Sequence, residues 1–173
     1  MKWLFHIIGL ILLLFVALCV AGYFIPARQV VDANVQLDAD PYTVFEVVSD
    51  LKSYPEWSGI GGPESEWVFG GAADGTGQTA AWQSGARFGS LEILQSTPGE
   101  FVLVRTIGPL GEQKVTLAIQ ESGAMTNFLI EAQRDLGGFP YIGRVAALRQ
   151  NVATQEAMDR AAIGLEQMTV AQN

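Results

Sequence analysis

The stretch VQLDADPYTVFEVVSDLKSYPEWS, Val35–Ser58, turns an extended segment into helices within a few residues. Val35 and Leu37 alternate with Gln36 and Asp38, the period of a half-buried strand. Asp40-Pro41 then sets a helix N-cap followed by proline at the first helical position, where a missing N–H costs nothing. Val44, Phe45, Val48 and Leu51 follow at helical spacing. Ser53-Tyr54-Pro55 breaks that helix, and Glu56-Trp57 opens a second short turn or helix.

Toward the N-terminus the alternation extends back through Val31 and Ala33. Before it lies WLFHIIGLILLLFVALCVAGYFI, Trp3–Ile25, without Asp, Glu, Lys or Arg. As a helix it spans roughly 35 Å, enough for a hydrocarbon core about 30 Å thick. Trp3 at one end and Tyr23 and Phe24 at the other suit the two interfaces. Residues 1–27 therefore read as a transmembrane anchor and 28–173 as one folded domain. A signal peptide cleaved after Ala21 is the rival reading, but the n-region holds only Lys2 and the apolar run continues past that site. Lys2 and Arg28 nearly balance the positive-inside bias; Asp32 beside Arg28 places the domain on the extracytoplasmic side in this reading.

Toward the C-terminus, Ser58–Gly77 is glycine-rich around one short strand, Glu66–Phe69. It lacks the G-x-x-x-x-G-K-[ST] pattern of a phosphate cradle, so hairpin turns explain it. Five more strands follow: Thr79–Gln83, Phe88–Gln95, Phe101–Ile107, Lys114–Glu121 and Asn127–Arg134. The turn-sized gaps between them require antiparallel hairpins. After Gly137-Gly138-Phe139-Pro140 the chain turns helical, with apolar positions in two groups: Val145, Leu148 and Val152, then Met158, Ala161, Ala162, Leu165 and Met168. The residues between them break the phase, which predicts a short helix or bend leading into a longer amphipathic one.

The domain holds nine Lys+Arg against 18 Asp+Glu, a formal net charge of −9. Such a balance argues against nucleic acid as a partner, and against close adhesion to anionic headgroups. The only cysteine, Cys19, and the only histidine, His6, lie in the anchor. The domain therefore has no thiol nucleophile, no Cys/His metal site and no histidine base, which removes Ser–His–Asp and Cys–His mechanisms. No cofactor is implied.

The order of strand, two short helices, antiparallel strands and long final helix is that of a helix-grip α+β fold, a curved antiparallel sheet wrapped around the C-terminal helix. Val35–Ser58 resembles the opening segment of the START-like SRPBCC superfamily, especially its polyketide cyclase/dehydrase branch. The matching positions are Leu37, Ala39, Pro41, Val44, Phe45, Val48, Asp50, Leu51, Tyr54 and Trp57. GSLEI (Gly89–Ile93), DLGG (Asp135–Gly138) and GLEQM (Gly164–Met168) are similar to later signposts of that branch, and membrane-anchored bacterial members look similar from the first residue. GIGGPES after Trp57 departs from the pattern, which has a bulkier apolar stretch there. The resemblance implies a pocket for a small hydrophobic ligand between sheet and final helix, not a reaction.

The candidate ligand-binding residues are Trp57, Trp82, Leu91, Ile93, Leu103, Arg105, Leu117 and Leu148. Trp57 and Trp82 can either fill a core or wall a pocket. Arg105 shares a strand face with Phe101, Leu103 and Ile107; it either enters the cavity to meet an anionic or carbonyl group, or snorkels at the surface. Glu92 alternates with Leu91 and Ile93 and so points to water. Asp50 reads as part of a helix stop, and Tyr54 and Tyr141 as packing residues with hydroxyls able to donate. These residues favour a tethered carrier or sensor of an apolar molecule. The alternatives are a cyclase or dehydratase built on Arg105 with a tyrosine or carboxylate, and a protein-interaction module at the membrane.

Overall fold

The structure, a computed structural model, describes residues 2–109, 111–123, 125–137 and 142–172, with backbone only at 2, 142–143, 146, 148–150 and 170–172. Helix α1 (Lys2–Tyr23) leads through a short linker into strand β1 (Arg28–Leu37). Helix α2 (Pro41–Val48), a 3₁₀ turn (Leu51–Ser53) and helix α3 (Tyr54–Trp57) follow. Six strands come next: β2 (Glu66–Gly71), β3 (Gln78–Ser84), β4 (Arg87–Thr97), β5 (Phe101–Gly108), β6 (Gly111–Ser122) and β7 (Met125–Asp135). Helix α4 (Ile142–Gln172) closes the chain.

The seven strands form one antiparallel sheet in the order β1-β7-β6-β5-β4-β3-β2. Strands β2 to β7 are a meander, and β1 joins its far edge by pairing with β7 from Arg28↔Asp135 to Leu37↔Thr126. The two short helices must therefore carry the chain from one edge of the sheet to the other. With α4 packed against the same face, this is the helix-grip fold.

Local chemistry explains the turn from strand to helix. Asp40 accepts from the Tyr42 and Thr43 amides at 2.9 and 3.1 Å, satisfying donors that a helix start leaves unpaired. Asp50, a helix stop in the sequence, caps the 3₁₀ turn through the Lys52 amide at 3.0 Å. It also takes a 2.7 Å bond from the Gln78 side chain, whose own oxygen accepts from the Leu51 amide at 2.6 Å. Gln78 is 1% exposed, and it pins the crossover helices to β3.

The final helix differs from expectation. It is one continuous helix from Ile142 to Gln172, not a short helix followed by a longer one. Its inward stripe is Ala147, Thr154, Met158, Ala161, Leu165 and Thr169, all buried, at steps of three, four and seven residues. Thr154 occupies a place where the pattern calls for an apolar side chain, while apolar Val152 is 62% exposed. Reading Val152 as core and Thr154 as surface shifted the phase and produced the apparent break. Leu148 lies on this helix with its side chain outside the described residues, and Tyr141 lies outside them altogether.

By length and composition α1 can cross a bilayer: Trp3–Tyr23 has a mean hydropathy of 2.9 over its most apolar window, and none of that window is buried.

Candidate functional site: an apolar cavity beneath the final helix

Between the concave face of the sheet and α4 lies a cavity of about 220 Å³. Its walls are Leu91 of β4, Val104 and Thr106 of β5, Val115 and Leu117 of β6, Ile130 and Ala132 of β7, and Thr154, Met158 and Ala161 of α4. Trp57 and Tyr54 close it on the side of the short helices, and Trp82 on the side of β3.

Both tryptophans are seated on glycine. Trp82 lies across its β4 pairing partner Gly89, where a Cβ would meet the indole nitrogen at 2.7 Å. Trp57 sits against α4 at Gly164, where a Cβ would meet the Trp57 carbonyl oxygen at 2.4 Å. The Trp57 indole donates to Ser53 Oγ at 3.0 Å, and Tyr54 packs edge-on against it with ring centroids 4.7 Å apart. The Tyr54 hydroxyl donates to the Val48 carbonyl at 3.1 Å, and complete burial holds its pKa well above the usual phenol value.

No Asp, Glu, Lys, Arg or His lines this space among the described residues. Its polar side chains are those of Ser58, Ser90, Thr106, Gln113 and Thr154, besides the ring atoms of Tyr54, Trp57 and Trp82. Ser58 is engaged locally: it donates to the Tyr54 carbonyl at 2.7 Å and accepts from the Ile60 amide at 3.2 Å. A charge moved into such surroundings would lose its hydration without a partner, so the site selects against ions. Among the described residues no group of three His, Cys, Asp or Glu could hold a metal.

The sequence candidates divide by sheet face. Trp57, Trp82, Leu91 and Leu117 line the cavity. Ile93 is fully buried in the core but lies outside the lining. Leu103 and Arg105 are corrected: Val102 and Val104 hold the inner face of β5, so Leu103 and Arg105 face outward. There Arg105 pairs with Glu92 directly across the β4–β5 ladder, both half-exposed. In FVLVRTIG both alternating sets are apolar at their start, so periodicity alone could not choose the inner one. Thr106 and Thr154 were missed because a threonine carries no apolar signal. Ile60 comes from the glycine-rich segment that departs from the family pattern, and it lines the cavity too.

No family model and no curated protein matches this chain. Solved structures do. A protein from Mesorhizobium loti is 15% identical with a TM-score of 0.61, over 84% of this chain and 99% of that one. One from Thermus thermophilus is 19% identical at a TM-score of 0.56, over 84% and 99% of the two chains. DynU16, from the dynemicin biosynthetic locus, is 18% identical at a TM-score of 0.55; the match covers 80% of this chain and 46% of that one. At such identities the likeness establishes the fold.

Proposed function

We propose that this chain is a membrane-tethered member of the START-like SRPBCC superfamily that holds a small, uncharged, apolar ligand beneath α4. The observation that carries the reading is the cavity itself, apolar on nearly every wall and free of charged side chains among the described residues. Engineered apolar cavities of ~150 Å³ admit benzene, so about 220 Å³ suits a substituted ring or a short acyl chain. Burial of such a ligand is driven by its apolar area, with Ser90, Thr106 and Gln113 among the lining side chains placed to orient one polar group. The helix-grip likeness and the Val35–Ser58 resemblance support the family; α1 supplies the tether. In this reading the domain lies on the extracytoplasmic side.

The alternative of a cyclase built on Arg105 with a tyrosine or carboxylate finds no support in the cavity beneath α4. Arg105 is not in its lining but pairs with Glu92 at a second hollow, shared with Phe69, Thr79 and Ile107.

The test uses the full chain in lipid nanodiscs, titrated with bromonaphthalene, whose heavy atom quenches tryptophan on contact. The reading expects saturable quenching, diminished in Trp82→Phe and weakened about tenfold by Ala157→Phe, which puts bulk at the cavity wall on an exposed helix position. Quenching that rises linearly with probe and ignores both substitutions overturns it. The intact mass of membrane-extracted protein tests the tether: a chain beginning at Gly22 identifies a cleaved signal instead.

A further inference from the structure

The cavity has a direction. Its deep walls are buried, whereas its solvent-exposed lining residues are Ile107, Pro109 and Gly111 on the β5–β6 hairpin and Ala157 on α4. These mark the mouth.

Strand register says where that mouth lies. Arg28, the first residue of β1, pairs with Asp135 at the end of β7. Gln133 of β7 pairs with Lys114 near the start of β6, and Gly111 of β6 pairs with Gly108 of β5. The β5–β6 hairpin therefore stands at the same end of the sheet as the start of β1. Only Phe24–Ala27 separate β1 from α1, so Arg28 lies no more than roughly 18 Å from the helix end. The join is also tied down. Arg144 of α4 donates to the Ile25 carbonyl at 3.1 Å, and to the Gly137 carbonyl at 3.0 and 2.7 Å. The Leu136 amide donates to the Ala27 carbonyl at 2.7 Å.

Two surface properties agree with this placement. Phe88, on the β3–β4 hairpin at this same end, is 73% exposed, and Ile107 is 46% exposed. Apolar side chains projecting there would be buried at a lipid interface. Charge is also segregated along the strands. The opposite end carries Asp38, Asp40, Asp74, Glu100 and Glu121 in or beside its turns, with Lys52 the nearby cation. The α1 end carries Arg28, Arg87, Lys114, Arg134 and Arg144 against Glu64, Glu66, Glu112 and Asp135. The domain's net charge of −9 speaks against lipid adhesion only if spread evenly. As distributed, it repels the far end from an anionic surface and leaves the mouth end nearly neutral.

We infer that the mouth of the cavity is a portal held against the bilayer by α1, with Ile107 and Pro109 as its rim and Phe88, at the same end of the sheet, as a further lipid contact. An apolar ligand then passes between membrane and cavity without crossing bulk water. This rests on α1 being a membrane anchor, and the experiment separates the two.

The full chain carrying Cys19→Ser is reconstituted into vesicles of phosphatidylcholine with phosphatidylglycerol. One cysteine at a time is introduced as Phe88→Cys, Ile107→Cys or Glu121→Cys and labelled with an environment-sensitive fluorophore. Flotation after a carbonate wash reports anchoring; quenching by lipids spin-labelled high on the acyl chain reports depth. The portal predicts co-flotation of all three, with quenching at positions 88 and 107 several-fold greater than at 121. Co-flotation with equal quenching at all three positions overturns the portal and leaves the anchor standing. Protein that does not float overturns both.

Discussion

Gly164 lies so close to Trp57 that a single added carbon would collide with the tryptophan's carbonyl oxygen, at 2.4 Å. This contact joins the long helix to the crossover helices and sets how near α4 comes to the cavity's aromatic wall. In an exposed helix interior, glycine to alanine gains about 1 kcal/mol. Here the clash is with backbone, which yields little, and overpacking costs about 1–3 kcal/mol. Gly164→Ala is therefore expected to lower the thermal unfolding midpoint, against the helix-propensity trend, as circular dichroism of the full chain in detergent would read.

Gln78 offers a second test. Its amide bridges the Leu51 N–H and the Asp50 carboxylate from a position 1% exposed. Gln78→Met keeps the volume but leaves that N–H without its acceptor, at a cost of about 1–3 kcal/mol. Denaturant unfolding should show the loss, while Gln78→Glu should retain the acceptor and fail differently, by placing a carboxylate beside Asp50.

Arg105 and Glu92 make the opposite case. Their side chains are 40% and 34% exposed, and an ion pair so solvated is worth less than ~1 kcal/mol. Arg105→Ala should leave both stability and bromonaphthalene quenching close to wild type. A large loss of ligand binding in that variant would restore Arg105 to the site.

Tyr54 predicts a pH dependence. Burial raises its folded pKa above the unfolded value of 10.0. A phenol held protonated by the fold contributes stability that is fully present below the unfolded pKa. That contribution is lost as pH rises beyond it, because the unfolded chain ionises and the folded one does not. Stability measured by denaturant should therefore fall above pH ~10, and Tyr54→Phe should flatten that fall in part.

Much of this protein was legible in one dimension. The six expected strands after Asp40 and the one before it all formed. Most alternate between a wet and a buried face, as β1, β3 and β7 do, and most stop at glycine, proline or serine, while β2 has no buried residue and was marked by the glycines around it. Asp40-Pro41 announced α2, since capping needs only neighbours in sequence. Trp57, Trp82, Leu91 and Leu117 were among the candidates, and all four line the cavity. What periodicity could not decide was which of two apolar sets faces inward. On β5 it put Leu103 in the site and left Arg105 open between cavity and surface, and on α4 it counted exposed Val152 as core in place of buried Thr154.

The sequence by itself determined the elements and their order, the apolar helix at the start, and the confinement of Cys19 and His6 to that helix. Those properties depend on spacing and composition, which are local. The tertiary structure decided which sheet face is concave, that α4 runs unbroken beneath the cavity, and that the acidic charge left unbalanced by nearby cations gathers at one end. It also decided that the cavity mouth stands at the end where the chain leaves α1. Each of these rests on register between strands distant in sequence, and only folding sets that register.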